Sequence, residues 1–206
     1  IDLRIFPRHW VNAYAVEAEG KDGTRRSIQV FDAAGDAIHK VHLRAESDLS
    51  AWAALKAELA LPDQEPASEF GTRADSEGAK IAEDRADTLR EEWVRMTDTH
   101  QFNTLVRRLK MNRLGAYRVA GAPLVRPLAV EAVPALLDAV RDQNQQVMLF
   151  VGNMGCIEIH SGPIHEIKPM GPWLNILDQR FNLHLRADHV AEVWLVDKPT
   201  KRGPAI

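Results

Sequence analysis

Polar and apolar positions alternate through the first quarter of the chain. Residues 1–6, 10–17, 25–31 and 36–44 each alternate, with turn chemistry at Gly23 and over residues 32–36 between the runs. A period of two suits strands with one face on a core, so these runs predict an antiparallel meander. The period then lengthens. Ser47 or Asp48 caps a helix through Leu61, in which Leu49, Trp52, Ala53, Leu55, Lys56 and Leu59 fall at helical spacing and which can cover one face of the meander. Residues 62–80 hold two Pro, two Gly and many charges with almost no large apolar side chain. Such a segment cannot offset the entropy of ordering and is expected to be a linker.

A helix follows over 81–96, breaks at Thr97-Asp98-Thr99 and gives way to a second over 99–112. After Arg113 a loop leads to a helix at about 131–143. Residues 146–152 and 156–162 then predict a hairpin about Asn153-Met154-Gly155, on which Met148 and Phe150 share a face. Glycine and proline punctuate 162–172. Helices segregated between runs of antiparallel strands predict an α+β fold. A Rossmann fold is excluded, because no GxGxxG follows a strand and helices do not alternate with strands one by one.

The pattern also repeats. Residues 2–17, DLRIFPRHWVNAYAVE, return without a gap as residues 182–197, NLHLRADHVAEVWLVD, with Leu3/Leu183, His9/His189 and Val16/Val196 identical. Each copy predicts a β-hairpin with a polar turn around Arg8 or Asp188. The frame of the echo predicts a tandem repeat cut out of phase and truncated in both copies. Residues 1–61 would be the C-terminal part of the first, 62–80 the linker and 81–206 most of the second. The copies have diverged: His184 stands at the position of Arg4, and Arg186 at that of Phe6.

The second helix of the second copy carries the most informative side chain. At 100° per residue, Phe102, Leu105, Val106 and Leu109 gather on one stripe, while His100 falls opposite, beside Asn103, Thr104 and Arg107. In the first turn the helix dipole disfavours imidazolium and keeps a ring nitrogen free to bind a metal. The competing reading is a solvated surface histidine.

Composition narrows the class. The 206 residues are 45% apolar and 27% charged, which suffices for a real core in one or two domains. A net charge of −3 gives no global reason to expect nucleic acid, although 26 basic residues leave room for a local anion site. The single Cys156 cannot form an intramolecular disulfide, and no run of 18 apolar residues exists, so no membrane insertion is expected and a reducing cytoplasm is the expected compartment. HExxH, CxxC, GxxxxGK[ST] and GxSxG are all absent. His160 and His165 straddle a Ser-Gly-Pro turn with no acidic or thiol companion at fixed spacing, and His39 and His42, three apart in a strand, point to opposite faces.

The stretches IDLRIFPRHW, FDAAGDAIHKVHLR, TDTHQF, MLFVGNMGCIEIHSGPIHEIKPMGPWLNILDQRFNLHLR and VWLVDKPT are long and unusual. Over nearly the whole chain they resemble the HemS/ChuS/PhuS-type haem-utilisation proteins, also called hemin-degrading factors. The resemblance implies tandem halves, each a large antiparallel sheet flanked by helices, with one haem held in a cleft of mixed ownership. It implies that His100 of TDTHQF is the proximal haem-iron ligand and that Arg4 of DLRIF approaches the iron from the distal side, as the catalytic residue if the protein is enzymatic. Phe6 would share the strand face of Arg4 and pack on the porphyrin, Arg113 and Lys198 would meet the propionates, and Phe150 and Met148 would line the apolar side. Met148 departs from the aromatic residue expected of some relatives.

The implied function is cytoplasmic haem binding in bacterial haem-iron acquisition, receiving imported haem and passing it on for iron release. A haem oxygenase and a haem-uptake transporter are the partners this implies. The alternatives are a haem-degrading enzyme that oxidatively opens its bound haem, as cofactor and substrate at once, and a ligand-free interaction scaffold.

Overall fold

The computed structural model describes residues 2–65 and 69–205. Its strands and helices run β1 (Asp2–Ile5), β2 (Asn12–Gly20), β3 (Gly23–Phe31), β4 (Ala37–His42), α1 (Leu49–Leu59), α2 (Ala86–Val94), α3 (Gln101–Arg108) and α4 (Arg113–Ala120). They continue with β5 (Val125–Leu128), α5 (Ala132–Asp142), β6 (Val147–Gly152), β7 (Cys156–Gly162), β8 (Ile167–Met170), β9 (Trp173–Asp178), β10 (Phe181–Arg186) and β11 (Val193–Val196). Helices and antiparallel sheets make up the fold. Among the described residues the sheets hold two or three strands each, ordered β1-β7-β6, β2-β3-β4, β10-β9-β8 and β11-β5, smaller than the large sheet expected of each half. Two compact units result: residues up to 75 with 147–161, and 76–146 with those from 162 on. Compactness thus divides the chain differently from the sequential repeat boundaries.

In the first unit, β2 and β3 pair from Asn12↔Phe31 to Gly20↔Gly23, closing on a tight turn where Gly23 adopts φ 105°. Asp32 Oδ1 accepts from the amides of Ala34 and Asp36 and so shapes the turn into β4. Asp48 caps α1, its carboxylate accepting from the amides of Ser50 and Ala51. Trp52 of α1 is buried and donates to Glu17 of β2 at 2.6 Å, so the helix does cover the meander. Val30, Ile38 and Cys156 form the core, with Leu3, Trp10 and Ile28 packed against them.

The echo survives as local structure, but not as a hairpin. A 3₁₀ turn spans Pro7–His9 and another Ala187–His189, so the element recurs at the same spacing as the sequence. In neither copy do the flanking strands pair with each other. β1 pairs with β7 and β2 with β3, while β10 pairs with β9 and β11 with β5. A two-residue hairpin turn needs residues tolerant of positive φ, and Arg8-His9-Trp10 supplies none. Alternation identifies a strand but not its partner.

The 62–80 segment is also more ordered than expected. Gly71 N donates to Ala33 O at 2.7 Å, Arg73 Nε donates to Asp36 at 2.6 Å, and Phe70 lies against Gly35. Farther on, Lys80 N donates to Asn112 Oδ1 and Asn112 Nδ2 to Gly78 O. Backbone partners in side chains and turns replace the missing apolar burial. Residues 66–68 of the segment lie outside the described residues.

The second unit is built on Leu89, Trp93, Phe102, Leu105, Val106, Met111, Ala116, Ala120 and Val125. Trp93 is fully buried, meets Phe102 edge-on at 4.7 Å between centroids, and donates Nε1 to Asp197 O. The helix expected over 81–96 is a 3₁₀ turn, Glu83–Arg85, followed by α2. The helix expected over 99–112 stops at Arg108, because Lys110 takes φ 58° and Asn112 caps a new helix through its bond from Gly115 N. The expected loop after Arg113 is therefore α4 followed by β5. Gly115 permits this packing, since a Cβ there would overlap the Lys80 carbonyl. A further hairpin, β8-β9, turns at Gly171 with φ 58° and precedes β10.

Candidate functional site

His100 sits at the N-cap of α3, at the apex of a loop that closes on itself. The Gln101 side chain accepts from Thr97 N at 2.8 Å and Asp98 N at 3.3 Å. Asp98 Oδ1 receives two bonds from His100, one from its backbone N and one at ring Nδ1, each at 2.7 Å. These bonds, the backbone one foremost, hold the Asp98 carboxyl below its usual range. With Nδ1–H facing a carboxylate, the neutral ring carries its lone pair on Nε2. Among the described residues Nε2 makes no hydrogen bond, and the His100 side chain is 70% exposed. A carboxylate at Nδ1 is the kind of partner that orients an imidazole for ligation through Nε2.

The same loop is fastened to the segment that carries Lys198. Lys201 N donates to Thr97 O at 3.0 Å, and Lys198 and Ala205 exchange backbone bonds at 2.9 Å. Lys198 Nζ lies 4.5 Å from the Phe102 ring centroid and 5.9 Å from that of Tyr117. Burial, and secondarily the Arg113 charge, pulls the Lys198 ammonium below its ordinary range. No ion pair of Arg113 or Lys198 is found among the described residues. Arg113 also borders a groove with Tyr117, Leu114 and Trp194, lined as well by Glu77 and Glu192. The second unit thus gathers three of the expected residues, His100, Arg113 and Lys198.

The first unit gathers the other four. Arg4 pairs with Ile157 across β1-β7 and shares its face. A Cβ built on Gly152 would lie 3.1 Å from Ile157 Cγ1, so Gly152 of β6 shares that face too. By alternation Phe150 and Met148 follow on the same side. Phe6 lies one residue beyond β1 as defined, yet its amide continues the ladder to Gly155 O at 2.9 Å, which keeps it in step with Arg4. Leu3 and Cys156 take the opposite, core face. Phe6, Met148 and Phe150 are 39%, 54% and 56% exposed, so this face presents apolar side chains to solvent. The Arg4 guanidinium makes no hydrogen bond or ion pair among the described residues.

In the sequence Asp98 reads only as part of a helix cap and Phe102 only as part of an apolar stripe, and Gln101 and Tyr117 go unassigned. The Asp98-x-x-Gln101 spacing, close to that of a capping box, was the available signal for Asp98 and Gln101. Tyr117 lay within a helix that the pattern did not reveal. Among the described residues no group of three His, Cys, Asp or Glu could hold a metal ion. His165 N is tied to the Asp178 carboxylate instead.

The second unit thus presents an exposed imidazole and the cations Arg113 and Lys198, and the first an exposed apolar sheet face that carries Arg4. Residues 1–59 and 110–206 match the family described as the haemin-degrading HemS.ChuX domain, with His100 in the interval between them. The hemin transport protein HmuS of Yersinia pestis is 38% identical over 203 residues, which make up 98% of this chain and 58% of that protein. The hemin transport protein HemS of Yersinia enterocolitica is 36% identical over the same shares. Among solved structures, holo-PhuS, a heme-binding protein from Pseudomonas aeruginosa, matches with a TM-score of 0.89 at 37% identity, over 98% of this chain and 59% of that one. The heme degrading enzyme ChuS of Escherichia coli O157:H7 matches with a TM-score of 0.84 at 34% identity, over 98% and 58%. The chain therefore belongs to the HemS family. It spans 58% of the length of these curated relatives.

Proposed function

We propose that this chain binds haem as cargo, with Nε2 of His100 as the iron ligand, in a pathway that takes up haem for its iron. The observation that carries the reading is the His100 ring itself, bonded at Nδ1 to Asp98 and 70% exposed. Arg113 and Lys198 would receive the propionates, Phe6, Phe150 and Met148 would pack on the macrocycle, and Arg4 would serve the distal side. The relatives described as hemin transport proteins and as a heme-binding protein support this assignment. We further propose the tandem repeat, supported by two separate stretches that match one family description and by the recurrent strand–3₁₀–strand unit. A donor transporter and an acceptor oxygenase, both meeting the protein in the cytoplasm, complete the proposal. No helix among the described residues is long and apolar enough to cross a membrane.

Degradation is the second reading, supported by the unpaired Arg4 guanidinium and by the description of ChuS as a heme degrading enzyme. Arg4 would supply a cation able to stabilise negative charge that develops in such a reaction. Hemin titration followed at the Soret band tests the binding claim. One equivalent should bind, and His100→Ala should weaken binding by more than about a hundredfold, beyond the usual cost of losing a supporting partner alone. An unchanged titration in the variant would refute the ligand assignment. Ascorbate with catalase present then separates the two readings: a Soret band that decays to an open-chain product indicates turnover, and a stable band that moves to an added oxygenase indicates transfer.

A further inference from the structure

Asp98 is placed to do more than shape a loop. Its Oδ1 accepts both from the backbone amide of His100 and at ring Nδ1, each at 2.7 Å, so one carboxylate fixes the ring and faces its proton. Gln101 fixes the carboxylate's own backbone by accepting from the amides of Thr97 and Asp98. Lys201 N holds the Thr97 carbonyl from outside the loop. The ring is thus oriented at three levels, all within the second unit.

We propose that Asp98 is a positioning residue that sets the donor strength of His100 toward iron. This rests on the haem reading above. A carboxylate drawing on Nδ1–H gives the ring anionic character, which strengthens Nε2 as a donor and favours ferric over ferrous iron. It also selects the Nδ1–H tautomer, leaving Nε2 ready to ligate without a proton shift. Asp98 makes no contact with the ligand in this account; it acts through His100.

Two readouts test this, one without haem. In the ligand-free protein, long-range ¹H–¹⁵N NMR should find neutral His100 as the Nδ1–H tautomer, and Asp98→Ala should move it toward Nε2–H. In the hemin-loaded protein, Asp98→Asn should lower the preference for ferric over ferrous iron by about tenfold, a rise in potential of about 59 mV for one electron. It should also lower the ferrous iron–histidine stretching frequency in resonance Raman spectra. Asp98→Glu, which restores a carboxylate, should recover part of both. An unchanged tautomer in Asp98→Ala, or an unchanged potential and stretch in Asp98→Asn, would overturn the proposal. If His100→Ala leaves the haem spectrum unaltered, the haem reading falls and this proposal with it. If His100→Ala alters the spectrum while the Asp98 variants do not, only this proposal falls.

Discussion

At the scale of residues, the candidate site consists of side chains left chemically unsatisfied. His100 Nε2 and the Arg4 guanidinium have no partner among the described residues, and Arg113 and Lys198 repel one another. Lys198 offers a test, because its Nζ, over the rings of Phe102 and Tyr117, carries the charge that an anion would meet. Lys198→Met, which keeps an apolar side chain of similar length beside the rings but removes the charge, should weaken hemin binding several-fold. It should barely change binding of hemin dimethyl ester, as measured by paired titrations. An equal loss for both ligands would argue that Lys198 acts by packing. His100 was legible in the sequence because the apolar stripe of its helix excluded it. Its carboxylate partner was less so, since a bond between residues two apart at a helix start leaves no periodic trace.

Elements show where sequence patterns stop being informative. Helix α1 with its Asp48 cap, α5 and the β6-β7 hairpin were all legible, because caps, helical spacing and tight turns are local signals. The α3 break and α4 were not, since Lys110 at positive φ and Gly115 inside a helix contradict the usual preferences. Gly115→Ala should therefore destabilise the protein by about 1–3 kcal/mol despite its better helix propensity, as measured by urea unfolding. Trp93→Ala, at the fully buried centre of the α2–α3–α4 core, should cost about 3–5 kcal/mol. The α1–β2 contact predicts a pH dependence. Bonds from Lys56 and Trp52 pull the Glu17 pKa from 4.5 down to about 2. A carboxylate depressed on folding stabilises the folded state above its unfolded pKa, and that contribution fades as pH falls through the folded one. The wild type should thus lose more stability than Glu17→Gln between about pH 4.5 and 2, and parallel melting curves across that window would contradict the contact.

For the whole molecule, the repeat was legible as sequence but its strand partners were not, because pairings such as β1 with β7 join residues some 150 apart and leave no local pattern. That pairing is what sets Arg4 on one face with Phe150 and Met148, so the first-unit surface is a product of topology. The central proposal is that His100 would ligate the iron of one haem, Arg113 and Lys198 would meet its propionates, and Arg4, Phe6, Met148 and Phe150 would contact its ring. A crystal structure of the hemin-bound protein tests this most directly. The account predicts iron on Nε2 of His100, Asp98 still bonded to Nδ1, and Arg4 on the opposite side of the iron. Iron ligated by any other residue, or a macrocycle away from Phe150 and Met148, would contradict it.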